Sequence, residues 1–68
     1  MNNVLAGLNT SGKLKVFMAA KQFNTADLSE LLGCTRETIN NRFEANRWLI
    51  DDLKKIAGAY GIETADLI

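Results

Sequence analysis

The sequence contains no histidine or proline and only one cysteine, Cys34. A lone cysteine cannot form an internal disulfide, and without histidine or a second cysteine a zinc site lacks its usual ligands. The absence of histidine also removes the commonest general base of enzymes. We therefore expect a protein that is not an enzyme and that holds neither a metal nor another cofactor.

Long hydrophobic runs are also missing. No apolar stretch approaches the roughly 20 residues that span a bilayer. Met1–Ser11 lacks the charged start and apolar centre of a signal peptide. These two absences predict a cytoplasmic protein without a membrane segment.

The composition is that of one small globular domain. Of the 68 residues, 47% are hydrophobic and 24% charged, with eight basic and eight acidic side chains. A chain of this length builds a single core at most. We expect an N-terminal arm over residues 1–10 and one domain over residues 11–68.

Capping residues and apolar spacing predict the first two helices. Ser11 is the expected cap of a helix that runs to Lys21. A second helix is expected over Thr25–Leu32, because Asn24 and Asp27 have the spacing of a capping box and Gly33 supplies a left-handed end.

A third helix is expected directly after Thr35 as its N-cap, with Ile39 and Phe43 buried. The connection from the second helix is only Gly33–Thr35, so the two helices should cross steeply, as in a helix-turn-helix. After a loop over Ala45–Trp48, the spacing predicts a fourth helix from about Ile50 to Gly61. A final turn capped by Thr64 should close the core with Ile62, Leu67 and Ile68.

The ordered run from Phe23 to Ile39, followed by Leu53 to Ile62, resembles the Cro/repressor-like (XRE-type) helix-turn-helix family. The stretch from Thr38 to Trp48 is similar to a phage-associated branch of it. The resemblance implies an all-α, compact five-helix, lambda-repressor-like DNA-binding domain with the helix-turn-helix at helices 2 and 3. It also implies a small phage-type regulator, either Cro-like or a repressor DNA-binding domain, whose homodimer binds double-stranded operator DNA.

The resemblance also assigns residues to the DNA. Arginine pairs with guanine, asparagine with adenine, and glutamate accepts from cytosine, so the start and outer face of helix 3 have suitable chemistry for reading bases. The predicted base-contacting residues are Arg36, Glu37, Thr38, Asn40 and Asn41. The predicted phosphate-contacting residues are Thr25, Thr35, Arg42, Asn46, Arg47 and Lys21.

The zero net charge conceals an uneven distribution. Arg36, Arg42 and Arg47 fall in one stretch that contains only Glu37 and Glu44 as acids, which favours a DNA-facing surface. Outside this stretch, acidic residues concentrate at Asp51, Asp52, Glu63 and Asp66.

Several alternatives remain open on the sequence alone. The outer face of helix 3 is also compatible with an ordinary solvated surface. The protein as a whole is also compatible with a protein-binding module, such as an antirepressor that binds a repressor. Cys34 is either a buried inert thiol or a redox switch. Trp48 either packs in the core under helix 4 or contacts DNA. Gly58 either allows another helix to approach closely or has no particular role. Surplus apolar residues either cover the core or form a partner surface; they are Val4, Leu5, Leu8, Val16, Leu31 and Leu49.

Overall fold

The structure is a computed structural model that describes residues 7–68; Val4 and Leu5 of the predicted arm lie outside the described residues. Residues 7–68 form helices and no strand, which confirms the all-α prediction. The elements are α1 (Thr10–Lys21), α2 (Thr25–Leu32), α3 (Arg36–Ala45), α4 (Ile50–Tyr60) and a 3-10 turn (Thr64–Asp66). In place of the predicted fifth helix the described residues have only this 3-10 turn, so the count of five helices is not confirmed. None of the helices in the described part has the length and apolar character needed to cross a bilayer.

The start of α1 differs from the prediction. Asn9 is the N-cap, and its side-chain oxygen accepts a hydrogen bond of 2.8 Å from the Gly12 backbone N–H. The predicted cap, Ser11, is wrong because this residue already lies inside the helix and is buried. The end of α1 agrees with the prediction, since Lys21 is its last residue and Gln22 turns left-handed at φ 60°.

The α2 helix has the predicted bounds and caps. The Asp27 N–H donates to Asn24 Oδ1 at 3.0 Å, and the Asn24 N–H donates back to Asp27 Oδ2 at 2.9 Å. Gly33 ends the helix in the left-handed region at φ 69°. The predicted capping box and glycine end are both confirmed.

Thr35 caps α3 as predicted, accepting a hydrogen bond of 3.1 Å from the Thr38 N–H. The helix ends at Asn46, which adopts a left-handed conformation at φ 51°. The next helix, α4, begins at Ile50 without a side-chain cap and ends at Gly61. The prediction that Thr64 caps the last turn is wrong, because the cap position is Glu63 and Thr64 is the first residue of the 3-10 turn.

Each α-helix contributes at least one fully buried side chain to the core, and the C-terminal segment adds another. These side chains are Leu14, Leu28, Ile39, Ile56 and Leu67. Ile62 is buried as predicted, but Ile68 is 61% exposed and does not close the core. Phe43, predicted to be buried, is only half-buried and packs against the core.

An aromatic pair lies at the α4 side of the core. The rings of Phe23 and Tyr60 stack with their centroids 3.8 Å apart. Partial burial, and then the carboxylates of Asp27 and Glu30, raise the pKa of Tyr60 above its ordinary value. The pair joins the end of α4 to the loop that precedes α2.

No neighbouring atom explains why position 58 is a glycine and not a residue with a side chain. A Cβ added there would meet nothing within 4 Å, so the close approach of another helix is excluded as the reason. Its backbone lies inside α4, and it is exposed. Glycine in a helix interior is the less stable choice because it loses more backbone entropy on folding.

We therefore expect Gly58→Ala to raise the free energy of unfolding by about 0.5–1 kcal/mol. Urea unfolding followed by circular dichroism measures the change. The matched variant Gly61→Ala should destabilise the protein, since Gly61 has φ 67°. A loss of stability in Gly58→Ala would contradict the open surroundings of that position.

Candidate nucleic-acid interface

One face of α3 is turned away from the core. Arg36, Glu37, Asn40, Asn41 and Glu44 are all exposed, whereas Ile39 is fully buried. At 3.6 residues per turn, the five exposed side chains fall within an arc of about 140°. Four of the five predicted base-contacting residues therefore lie on one outward surface. We call this surface the α3 arc; it consists of Arg36, Glu37, Asn40, Asn41 and Glu44.

The fifth, Thr38, lies outside the α3 arc. It is half-buried, and its hydroxyl is 3.0 Å from the hydroxyl of Thr35. The Thr35 hydroxyl also accepts from the Thr38 N–H. Both threonines, one predicted at bases and one at a phosphate, thus use their hydroxyls to form the first turn of α3.

Arg42, predicted at a phosphate, is paired inside the fold. Its Nη1 donates to Asp52 Oδ2 in the first turns of α4, and the two side chains are 25% and 14% exposed. The pair fastens the last turn of α3 to α4. The spacing within each helix does not reveal this pair, because its partners lie on different helices.

Three polar contacts join α3 and the following loop to α1. The Ser11 N–H donates to Asn46 Oδ1 at 2.9 Å, and the Ser11 hydroxyl donates to the Phe43 carbonyl at 3.0 Å. The same hydroxyl accepts from Trp48 Nε1 at 3.0 Å. We call these residues the Ser11 cluster: Ser11, Phe43, Asn46 and Trp48.

The Ser11 cluster changes the interpretation of Trp48. Its ring is half-buried and meets the Phe43 ring edge-on, with centroids 4.8 Å apart. Trp48 is therefore a packing residue against α1 and α3, and its only polar atom is already bonded. Asn46, predicted at a phosphate, uses its side-chain oxygen within the cluster. Its side-chain N–H groups are still able to donate to a ligand.

The other predicted phosphate-contacting residues lie at the ends of elements. Thr25 is the first residue of α2 and is half-buried, Lys21 is the last residue of α1, and Arg47 follows α3; the latter two are exposed. Cys34, in the turn before α3, is half-buried as a free thiol.

A groove of about 350 Å³ lies between α1, the start of α2 and α3. Its lining contains two predicted DNA-contacting residues, Thr25 and Asn40. It also contains residues that the sequence did not single out for DNA, with Lys15 and Glu44 as the charged ones. We call this the Lys15 groove; it is lined by Lys15, Met18, Thr25, Asn40, Phe43 and Glu44.

The fold and the α3 arc define a helix-turn-helix protein. A family model of the Cro/C1-type HTH DNA-binding domain matches residues 13–68. The chain therefore belongs to the Cro/C1-type family of helix-turn-helix DNA-binding domains, as its resemblance to the XRE-type family implied. No curated protein and no solved structure matches the chain significantly.

We expect Ser11→Ala to lower the free energy of unfolding by about 1–3 kcal/mol, because it leaves the Trp48 N–H and the Phe43 carbonyl without their partner. Thermal unfolding measures the loss. The matched control is Ser29→Ala, since among the described residues the Ser29 hydroxyl bonds the Ala26 carbonyl of its own helix and no other group. Equal melting temperatures for the two variants would contradict a tertiary role for Ser11.

Proposed function

We propose that the protein is a sequence-specific transcriptional regulator that reads operator DNA with α3 in the major groove. The observation that carries the proposal is the α3 arc, where polar side chains of the type that reads bases lie on one exposed face of the second helix of the helix-turn-helix. Membership in a family of DNA-binding domains supports it.

Arg36 is the first base-reading residue in this proposal. It is exposed at the first position of α3, with no carboxylate partner among the ion pairs of residues 7–68. A guanidinium pairs bidentately with the O6 and N7 atoms of guanine. Asn40 and Asn41, exposed on the same arc, suit adenine, and Glu37 suits the amino group of cytosine.

Phosphate contacts position α3 without reading sequence. We assign them to Lys21, Thr25, Arg47 and the free N–H groups of Asn46. We also assign Arg42 and Thr35 to phosphates. They contribute less to phosphate binding, because Asp52 engages the Arg42 guanidinium and Thr38 engages the Thr35 hydroxyl. Arg42 reaches a phosphate only with the N–H groups that Asp52 leaves free.

We further propose a homodimer on a two-fold operator, with half-sites about one helical turn apart. Each copy has few basic side chains for phosphate contacts. Two copies together bind more tightly, since each adds its own phosphate contacts. The Leu49 and Ile50 side chains, 62% and 48% exposed, supply apolar area outside the α3 arc. Sedimentation with and without DNA measures the stoichiometry.

We expect Arg36→Ala to weaken operator binding by about 1–3 kcal/mol, or roughly 5- to 140-fold, and to relax the preference at one base pair. Footprinting on DNA that adjoins its own gene locates the site, and a gel shift measures the affinity. The control Lys54→Ala removes a cation from α4, outside the α3 arc. A footprint of Arg36→Ala that is identical to the wild type would overturn the role of α3.

The same gel shift separates DNA binding from the protein-binding alternative. We expect binding at about 50 mM salt that weakens steeply as salt is added. A folded wild-type protein that binds no duplex at that salt would refute the regulator and favour a module that binds another repressor.

A further inference from the structure

The basic side chains around α3 differ in what they contact. Arg42 is paired with Asp52, and the Lys13 ammonium donates to the Ile68 carbonyl. Lys15 has neither kind of partner: within residues 7–68, no carboxylate oxygen lies within 4.0 Å of its ammonium. Its charge is therefore available to a ligand.

Lys15 is nevertheless placed by the fold. Its ammonium lies 5.5 Å from the centroid of the Phe43 ring, within the range of a cation–π contact. Phe43 in turn is fixed by Trp48 and by the bond from Ser11 to its carbonyl. A residue of α1 is thus held against the helix that carries the proposed base-reading side chains.

Lys15 also shares its groove with residues of the proposed interface. Asn40 stands on the α3 arc and Thr25 opens α2, and both line the Lys15 groove together with Lys15 itself. A duplex whose major groove receives α3 brings its own backbone against the elements that flank α3. Met18 and Phe43 supply apolar lining, along which a lysine stem lies while its ammonium stays in water.

We propose that the Lys15 groove is a backbone-phosphate subsite for duplex DNA, with Lys15 as its cation. The inference rests on the proposed function and deepens it by assigning a contact from α1. The subsite adds a cation beside α3, a helix whose own Arg42 is neutralised by its pairing with Asp52.

Glu44 opposes the phosphate in the same groove. It is exposed, lines the groove, and has no ion-pair partner among residues 7–68. Its carboxylate repels a phosphate that Lys15 attracts. Glu44 therefore limits the affinity of the subsite, so that removing its charge strengthens binding.

The experiment measures binding of the full chain to a mixed-sequence duplex of about 20 base pairs between roughly 50 and 200 mM salt. Non-specific binding suits the test because it comes almost entirely from phosphate contacts. Lys15→Met keeps the aliphatic stem and removes the charge, Lys15→Arg keeps the charge, and Lys54→Met is the matched control on α4. Thermal unfolding of each variant confirms that the fold is intact.

We expect Lys15→Met to reduce the slope of log K against log salt by about 0.9, the value of one phosphate contact. Lys15→Arg should restore the wild-type slope, and Lys54→Met should leave it unchanged. Glu44→Gln should raise the affinity several-fold, with Glu63→Gln as its neutral control.

The outcomes separate the two levels of inference. If the wild type binds with a salt-dependent affinity but Lys15→Met has the same slope, the subsite is wrong and the proposed function stands. An unchanged affinity in Glu44→Gln likewise places the phosphate elsewhere. If the folded wild type binds no duplex at about 50 mM salt, the proposed function itself fails.

Discussion

The left-handed turn at Gly33 sets the direction in which α3 points. Gly33 has φ 69°, a conformation that glycine adopts without the steric cost of a Cβ, and it allows α3 to begin with only three residues between it and the end of α2. Leu28 and Ile39, one on each helix, are fully buried. Because Ile39 faces inward, helical periodicity requires the opposite side of α3 to face outward. The exposure of Glu37 and Asn41, each about 160° around the helix from Ile39, follows from that constraint.

The far end of α3 also ends in a left-handed residue, Asn46, and polar contacts hold it against the rest of the fold. The Ser11 cluster joins it to α1, and the pair of Arg42 with Asp52 joins it to α4. Hydrogen bonds depend on distance and angle more strongly than apolar contacts do. The helix is therefore fixed in rotation as well as in position, and a preorganised binding surface needs both.

The sequence predicts what short-range chemistry decides. The Asn24–Asp27 capping box, the Gly33 end and the Thr35 cap involve residues within a few positions of each other, so their spacing is visible in the sequence. The contact of Ser11 with Asn46 spans 35 positions, and that of Arg42 with Asp52 spans 10. Periodicity shows which face of a helix is polar, but not which side chain of another helix meets it. For the same reason neither the position of Lys15 beside Phe43 nor the tertiary contacts of Ser11 are visible in the sequence, where Ser11 has the pattern of a cap.

The neutral charge of the chain has a structural interpretation once these contacts are known. Asp52 neutralises Arg42 within the fold, so neither charge is fully available to DNA. Glu37 and Glu44 are exposed near the middle of the α3 arc, and in the proposed complex each disfavours a phosphate and favours a base edge that offers a donor. Repulsion of the wrong contact raises specificity at the cost of affinity. In the proposed complex, such a surface discriminates between duplexes by base contacts more than by charge, and the proposed second copy recovers the affinity that the carboxylates remove.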